Sequence, residues 1–466
     1  MSSSFLKPAF LASCLLALDP AAHAADALPP GEKPSARSEY QAHLESENWT
    51  AAVAAAQKLV ETARADGEPL ALAEALSQLG EAQLRGGDLT GAEASFKEAL
   101  ELIERSQGQA SRHTLNPLRG LGFTLAAAKR HEEAVPYLDR ALLITHRTHG
   151  LFHEEQQPIL AQLANSLTRI GQALAAERHV NYMLKVGERS YGQNDPRIVP
   201  LMCQVADWHA GVGNFDVARR HYRDAIRLVE RTLGSSHVDV VLPLRRLAAS
   251  YLYEVDFYAL GYLDPYTANT PEAQQLNLPY RKNPRYLPAE GQRALLRALE
   301  VLETQPDPPA EILLGTLVET GDWFQFKQDT KKALAYYRQA AQRYAQLDAK
   351  ERETIPNLLA VPVRVYFPAP AAVASGNRMP PGKGEEAFVE LEFTVNAEGF
   401  VEDARVTDSN TYSRHVSDFL DAIRDTRFRP RFVDGEPVAT TGVTAREVYR
   451  VRRRPQNKEQ QEDEPS

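Results

Sequence analysis

Small and apolar residues recur along residues 73–233 with a period of 42 residues. Each period carries a small residue, a larger apolar residue and a second small or medium residue at fixed positions. They are Ala92, Ala134, Ala176 and Ala218; Phe96, Leu138, Val180 and Tyr222; and Ala99, Ala141, Met183 and Ala225. Small residues let two helix axes approach closely, and larger ones fill the groove between neighbouring helix pairs. This period predicts an α-solenoid in which each helix pair buries its apolar face against the next.

The helical pattern extends on both sides of these four units. A first helix pair begins near Glu39, and a fifth unit begins at Leu247-Ala248 before a Pro-, Tyr- and Asn-rich insertion at about 261–288. A helix at about 289–303 follows, and then one more pair with the repeat's spacing of Gly321, Ala333, Tyr337 and Ala340. We therefore assign residues 39–347 to one all-α solenoid.

The hydrophobic period changes to strict alternation at residues 388–395, which predicts a half-buried strand. A turn at 396–399 leads into a second strand at 400–407, and Ser413 can cap a helix that runs to Thr426. A last strand lies within 438–451, with room for a short strand around 428–433. The pattern predicts a small α+β domain of order β-β-α-β over residues 358–452.

The helical units resemble the tetratricopeptide repeat (TPR), whose pattern places Leu-Gly, Ala, an aromatic residue and Ala at these offsets. The 42-residue period is that of the longer repeats of kinesin light chains. The match is specific over 73–102 and 215–228 and looser between them, where Ala164 and Ala206 replace the glycine. This resemblance implies a groove, built from the first helix of each pair, that binds protein segments.

The segment 358–452 resembles the C-terminal domain of TonB-type energy transducers. The resemblance rests on Phe393-Thr394-Val395, on Arg427-Phe428-Arg429-Pro430 after a helix, and on Asp434-Gly435-Glu436-Pro437-Val438. It implies a Gram-negative periplasmic setting and a domain that binds proteins by β-strand pairing at a sheet edge. A repeat solenoid stands here where the transducers have a Pro-rich spacer, and the N-terminus reads as cleavable instead of as a membrane helix.

Residues 1–24 have the pattern of a secretory signal peptide: Lys7, an apolar run at 10–18 and a small-x-small cleavage site at 22–24. An alternative is a lipoprotein signal, because Leu11-Ala12-Ser13-Cys14 matches a lipobox. A linker at 25–38 and a charged tail at 453–466 flank the two domains. We expect an exported, periplasmic protein.

The composition excludes some classes of function. The net charge of −9, with 43% hydrophobic and 25% charged residues, is typical of a soluble globular protein without affinity for nucleic acid. No G-x-S-x-G, P-loop, Rossmann glycine pattern, paired C-x-x-C or H-E-x-x-H motif occurs, so we expect neither an enzyme nor a bound cofactor. His146, His149 and His153 lie close together, but we interpret them as turn and helix-end residues and expect no metal.

Two sets of residues are candidates for partner binding. The positions of the TPR pattern that face the groove are Glu81, Arg85, Arg119, Asn165, Arg169 and Asp207. The alternating arginines of the C-terminal domain are Arg427, Arg429 and Arg431. Either set has a structural interpretation as well: solvated helix positions for the first, and an edge strand protected by positive charge for the second.

The sequence therefore predicts a periplasmic adaptor for protein–protein interaction, with envelope proteins or peptides as partners. Its groove would bind one partner segment, and its TonB-like domain would bind an envelope protein. One alternative is an accessory of TonB-dependent outer-membrane transport, with an outer-membrane transporter as partner. The other is a TPR scaffold in which the C-terminal domain is only a structural cap.

Overall fold

The computed structural model of the 466-residue chain describes residues 36–259, 289–368, 370 and 385–451. The predicted signal peptide 1–24, the insertion 261–288, the tail 453–466 and most of the linker 25–38 lie outside the described residues. The chain divides into two compact units, Ala9–Leu201 and one that contains Met202–Ser466. Among the described helices, none combines the length and the apolar character that a membrane span requires.

The unit Ala9–Leu201 consists of consecutive helices that pack against one another in sequence order. They are α1 (Ala36–Glu45), α2 (Trp49–Asp66), α3 (Pro69–Arg85), α4 (Leu89–Gln107), α5 (Leu115–Ala127), α6 (His131–His149), α7 (Gln156–Arg169) and α8 (Ala173–Tyr191). The first helices of successive pairs, α3, α5 and α7, also contact each other. These three helices therefore share one face of the repeat array.

The periodic residues form the core that the sequence predicts. Every small or apolar residue named for the 42-residue period is buried, and Ala92, Ala134 and Ala176 have no exposed surface. Gly122 shows how close the helices of a pair come, because a Cβ atom there would lie 2.4 Å from Cδ2 of Leu138. Glycine at this position is a packing requirement.

The second unit continues with helices and ends in strands. Its helices are α9 (Val199–Gly211), α10 (Phe215–Thr232), α11 (Val241–Ala259), α12 (Ala289–Glu303), α13 (Ala310–Phe326), α14 (Thr330–Gln346), α15 (Ala349–Thr354) and α16 (Ser413–Arg424). The pair α13–α14 has the repeat's close packing, since a Cβ at Gly321 would lie 2.3 Å from the Tyr337 ring. The described helices and the matched spacing give a mostly helical, TPR-like fold.

The strands are β1 (Val363–Tyr366), β2 (Glu385–Val395), β3 (Val401–Ser409), β4 (Arg427–Arg429), β5 (Arg431–Val433), β6 (Glu436–Val438) and β7 (Thr440–Val451). A three-stranded antiparallel sheet has the order β3-β2-β7, while β1 pairs with β4 and β5 with β6. The alternating residues Val389, Leu391, Phe393 and Val395 are buried, as their pattern predicts, and pack with Phe419 and Ile423 of α16.

The order β-β-α-β is incomplete in two places. Strand β1 lies in the Pro-rich lead-in, where no alternation indicates it. Residues 427–438 form three short strands, whereas the sequence pattern predicts a short strand around 428–433 only. Pro430 separates β4 from β5, because it cannot donate a backbone hydrogen bond.

Candidate functional site

The candidate groove lies on the face shared by α3, α5 and α7. Glu81 and Asn165 occupy the same position of the 42-residue period, two repeats apart, and Arg85 and Arg169 occupy the position one turn later. All four, together with Arg119 of α5, are half-buried or exposed. The repeat pattern assigns these five residues to one face, and the contacts between their helices bring that face together.

Glu81 and Arg85 are bound to each other. Nη2 of Arg85 lies 3.0 Å from Oε1 of Glu81 in an i, i+4 ion pair, and both side chains are half-buried. The guanidinium of Arg85 also stacks over the Trp49 ring at 5.7 Å from its centroid. This end of the face is therefore fixed by contacts within the protein.

Arg119 differs from Arg85, because its guanidinium makes no hydrogen bond and no ion pair with any described residue. Its side chain is half-buried, and burial lowers the pKa of its guanidinium, while the negative charges of Glu81 and Glu155 act in the opposite direction. The guanidinium thus stands near two carboxylates without direct contact to either. Five N–H groups are available for a carboxylate or carbonyl group of a ligand.

Asn165 and Arg169 extend this set of donors along α7. Asn165 is half-buried and Arg169 is exposed, and neither side chain hydrogen-bonds to another described residue. Arg169 lies close enough to His131 to act on it electrostatically: burial lowers the pKa of His131, and the positive charge of Arg169 lowers it further. Arg119, Asn165 and Arg169 are the groove candidates whose side chains make no hydrogen bond to a described residue.

Asp207 does not line the groove as expected. It is 5% exposed, its Oδ1 accepts a hydrogen bond of 2.5 Å from the hydroxyl of Tyr222, and its Oδ2 lies 3.7 Å from Nε of Arg246. Burial raises the pKa of Asp207, and Arg246 and Tyr222 oppose this shift. Asp207 is therefore a structural residue that holds neighbouring helices together.

The same three-residue arrangement occurs again in the last helix pair. The hydroxyl of Tyr337 donates to Oδ1 of Asp322 at 2.8 Å, and Nη2 of Arg429 lies 3.1 Å from Oδ2 of Asp322. In both arrangements the tyrosine follows the aspartate by 15 residues. The arginine comes from the following helix α11 in the first arrangement and from strand β4 in the second.

The C-terminal strands therefore pack on the last helix pair. Gln325 of α13 donates to the carbonyl groups of Glu398 and Phe428 at 2.8 and 3.0 Å. On α14, Tyr337 makes an edge contact with Phe432 at 6.1 Å between ring centroids. The sequence pattern does not indicate whether the C-terminal strands pack on the helices, and these contacts join them to α13 and α14.

The three arginines do not form one exposed row. Arg429 is 9% exposed and bound to Asp322, which corrects the expectation that it lies at an exposed edge. Arg427 is half-buried, with its guanidinium 4.6 Å from the centre of the Phe400 ring, and Arg431 is exposed. Their strands β4 and β5 are paired with β1 and β6, whereas among the described strands β3 and β7 each pair with β2 alone within the sheet.

A sequence profile described as the tetratricopeptide repeat matches residues 118–155 and 201–239. The chain contains tetratricopeptide repeats, as its 42-residue period predicts. Repeats of this class typically serve as scaffolds for protein–protein interaction and do not catalyse reactions. The similarity of residues 358–452 to TonB-type domains stays a prediction. No curated protein sequence matches the chain.

Several solved structures are similar to the chain. Kinesin light chain TPR-like repeats of Podosopora anserina are 14% identical and cover 43% of this chain and 99% of their own, with a TM-score of 0.39. BtubC (BKLC) from P. vanneervenii is 21% identical over 51% of this chain and 94% of its own, with a TM-score of 0.37. The apo form of RapI is 12% identical over 66% of this chain and 97% of its own, with a TM-score of 0.38.

Proposed function

We propose that this interaction scaffold binds an extended or helical segment of a partner protein on the face of α3, α5 and α7. The observation that carries the proposal is Arg119, a half-buried guanidinium without a hydrogen bond or ion pair among the described residues. A partly desolvated cation is stabilised by a carboxylate that enters its site, and the hydrogen bonds it then makes are charge-assisted. The partner segment therefore carries an acidic side chain or ends in a carboxylate near Arg119.

Asn165 and Arg169 complete the proposed recognition. The Asn165 amide offers both donors and an acceptor, which suits the backbone of a segment lying along the groove. Exposed Arg169 adds a second positive charge, so that a segment with two separated acidic groups fits better than a neutral one. Glu81 and Arg85 at the other end are already joined in an ion pair, and this pair sets the limit of the surface.

We further propose that the protein acts as an adaptor in the periplasm, on the basis of the signal pattern in residues 1–24. The C-terminal module would serve as the cap of the repeat array and would bind a second partner by strand addition. Strand β7 suits that role, because it runs over Thr440–Val451 and pairs with β2 on one side only among the described strands. The same edge supports the second candidate function, an accessory of TonB-dependent transport that engages a transporter segment.

The groove is tested with a peptide library displayed on phage and selected on residues 25–466. We expect enriched sequences to contain Asp, Glu or a free C-terminal carboxylate, and Arg119→Gln to weaken their binding at least about tenfold, since hydrogen bonds to charged groups contribute about 1.5–3 kcal/mol. Arg105→Gln is the matched control, because Arg105 pairs with Glu101 on the exposed side of α4. Equal affinity of the Arg119→Gln and Arg105→Gln variants would refute the groove proposal.

Strand addition at the edge strand β7 is tested separately from the groove. Val448 of β7 is 51% exposed, and a lysine on an edge strand hinders strand addition. We expect Val448→Lys to lose binding of strand-forming transporter peptides and to keep binding of the groove peptides. If Val448→Lys binds both peptide classes as the unaltered chain does, β7 is not the second binding surface.

A further inference from the structure

Two histidines and one glutamate meet where α6 turns into α7. His149 is the last residue of α6, His153 lies in the connecting loop, and Glu155 directly precedes α7. One potential ligand atom of each residue lies within 4.8 Å of the other two. Nε2 of His149 is 3.4 Å from Oε2 of Glu155, and the two imidazole rings are 4.6 Å apart between centroids.

The sequence pattern alone favours no metal at His149 and His153, but the structure brings the carboxylate of Glu155 to them. We propose that His149, His153 and Glu155 bind one divalent transition-metal ion, with Zn²⁺ as the ion that fits their chemistry best. Two imidazoles and one carboxylate are a common ligand set for zinc, which takes a water molecule as its fourth ligand. His149 is exposed and the other two side chains are half-buried, so an ion reaches the cluster from solvent. The ligand set has no thiolate, which disfavours softer ions.

The repeat itself supplies an alternative explanation for His153, and it explains that residue alone. One residue of each period caps the turn that leads into the next α-helix, by accepting the backbone N–H of the residue two positions later. These residues are Ser111, His153, Asp195 and His237. Capping therefore accounts for a polar residue at 153, but it does not require a second histidine at 149 or a carboxylate at 155.

The other loops of the period lack the complete set. The residues that correspond to His149 are Gln107, Tyr191 and Leu233. The residues that correspond to Glu155 are His113, Arg197 and Asp239. The loop at His237 comes closest, since Nδ1 of His237 lies 3.6 Å from Oδ2 of Asp239, but Leu233 stands in the place of the third ligand. Among these four loops, three ligating side chains occur together only at 149–155.

Metal binding requires only small movements. Zinc–ligand bonds of about 2.0–2.2 Å place tetrahedral ligand atoms about 3.3 Å apart, so the widest separation in the cluster must shrink by roughly 1.5 Å. The side chains stand at a helix end and in a loop, where such adjustments are available. An ion bound at Nδ1 of His153 would replace the long hydrogen bond of 3.3 Å that this atom accepts from the Glu155 N–H, and an ion bound at Nε2 would leave that hydrogen bond in place.

The test uses the full chain, freed of metal with a chelator and titrated with Zn²⁺ against a chromophoric competitor. The key variant is His149→Leu, which copies the residue at Leu233 and so introduces a side chain that this repeat tolerates. We expect one Zn²⁺ per chain at this site, and binding more than about tenfold weaker in His149→Leu, since loss of even a second-shell partner typically costs 10–100-fold. Glu155→Gln should weaken binding in the same way.

His237→Asn is the matched control, because it removes a histidine from the two-ligand loop. It should leave Zn²⁺ affinity unchanged, and Co²⁺ should give the absorption of a tetrahedral or five-coordinate site in the unaltered chain and in His237→Asn but not in His149→Leu. Circular dichroism confirms that each variant is folded. The proposal is overturned if His149→Leu binds Zn²⁺ as tightly as the unaltered chain, or if His237→Asn loses as much affinity as His149→Leu.

Discussion

The ion pair between Asp322 and Arg429 joins the C-terminal strands to the last helix pair, and we expect Arg429→Met to destabilise the second unit strongly. Asp322 and Arg429 are 8% and 9% exposed, so water does not replace a lost partner. Arg429 also donates to the carbonyl group of Leu358 at 2.8 Å. The substitution therefore leaves a carboxylate and a carbonyl group without one of their donors, while methionine fills much of the volume.

The magnitude follows from the burial of the charge. Removing one partner of a buried ion pair typically costs about 3–5 kcal/mol. Tyr337 still donates to Asp322, and burial already raises the pKa of Asp322 against the effect of Arg429. The carboxyl group can therefore take up a proton in the variant, which limits the loss. We expect a loss of about 3 kcal/mol at pH 8 and a smaller loss at pH 5, because the unpaired carboxylate is unfavourable only when it is charged.

The assay is urea unfolding followed by the fluorescence of Trp323, which is 1% exposed and adjacent to Asp322. Repeat arrays can unfold in parts, so Trp49 and Trp208 are replaced by phenylalanine in every variant, and the signal then reports on α13. A triple variant, Asp322→Leu with Tyr337→Phe and Arg429→Met, should recover much of the lost stability, because it leaves neither a buried charge nor a buried tyrosine hydroxyl without its acceptor.

The control uses a second ion pair between the last helix pair and the C-terminal strands, in this case between α14 and β6. Nε of Arg338 lies 3.0 Å from Oε2 of Glu436, but these side chains are 42% and 67% exposed. Exposed pairs typically contribute less than about 1 kcal/mol, so Arg338→Gln should have a small effect. If Arg429→Met costs no more than Arg338→Gln at either pH, the buried pair does not hold the C-terminal strands in place.

Two further predictions concern the helices. His209 is buried and stacked on His221 with 5.7 Å between ring centroids, and burial lowers its pKa to about 3, with the charges of His221 and Arg220 acting in the same direction. The unfolded chain binds a proton at His209 from about pH 6.5 downward, so the free energy of unfolding should fall by about 2 kcal/mol between pH 6.5 and pH 5. In urea titrations, His209→Gln should reduce this dependence of stability on pH. An unchanged pH dependence would contradict a buried, neutral His209. Gly120→Ala should lower the free energy of unfolding by about 1–3 kcal/mol, although alanine favours helices, because the new Cβ would lie 2.3 Å from the Phe96 ring. The additional change Phe96→Leu should restore the lost stability. A Gly120→Ala variant that is more stable than the unaltered chain would contradict this packing.

The repeat core could be predicted from the sequence because its packing is local and periodic. Each alanine at 92, 134, 176 and 218 meets a neighbour at a fixed offset, and the same requirement for close approach selects a small residue every time. The sheet core is predictable for a similar reason, since alternation alone assigns Leu391 and Phe393 to the buried side. Both patterns are set by neighbours within one or two elements.

The repeat period gives a wrong location for Asp207, which is buried and does not line the groove. Its position is that of Glu81 and Asn165, which supports a place in the groove, but its neighbour 15 residues later is a tyrosine. A buried tyrosine needs an acceptor for its hydroxyl group, and Asp207 supplies it. The signal is present in the sequence, because an aspartate again precedes a tyrosine by 15 residues at Asp322 and Tyr337.

Arg429 could not be assigned in this way, since its partner lies 107 residues earlier in the chain. Alternation predicts which face of a strand a side chain occupies, but it does not predict which element covers that face. The same limit applies to Glu155, whose relation to His149 depends on the turn made at Gly150, where φ is +87°. Contacts between separate elements are what the sequence pattern leaves undetermined.

The correspondence between Arg246 and Arg429 has a consequence for experiments on the C-terminal module. Arg246 comes from the helix that follows the Asp207 pair, so strand β4 contributes to the Asp322 pair what a further repeat would contribute. A chain truncated at Pro356 would lose this arginine and would remove the C-terminal partners of Asp322, Gln325 and Tyr337. Any change in partner binding by that truncation would then combine a lost binding edge with a damaged helix pair. Val448→Lys, which changes β7 and leaves the Asp322–Arg429 pair in place, separates the two effects.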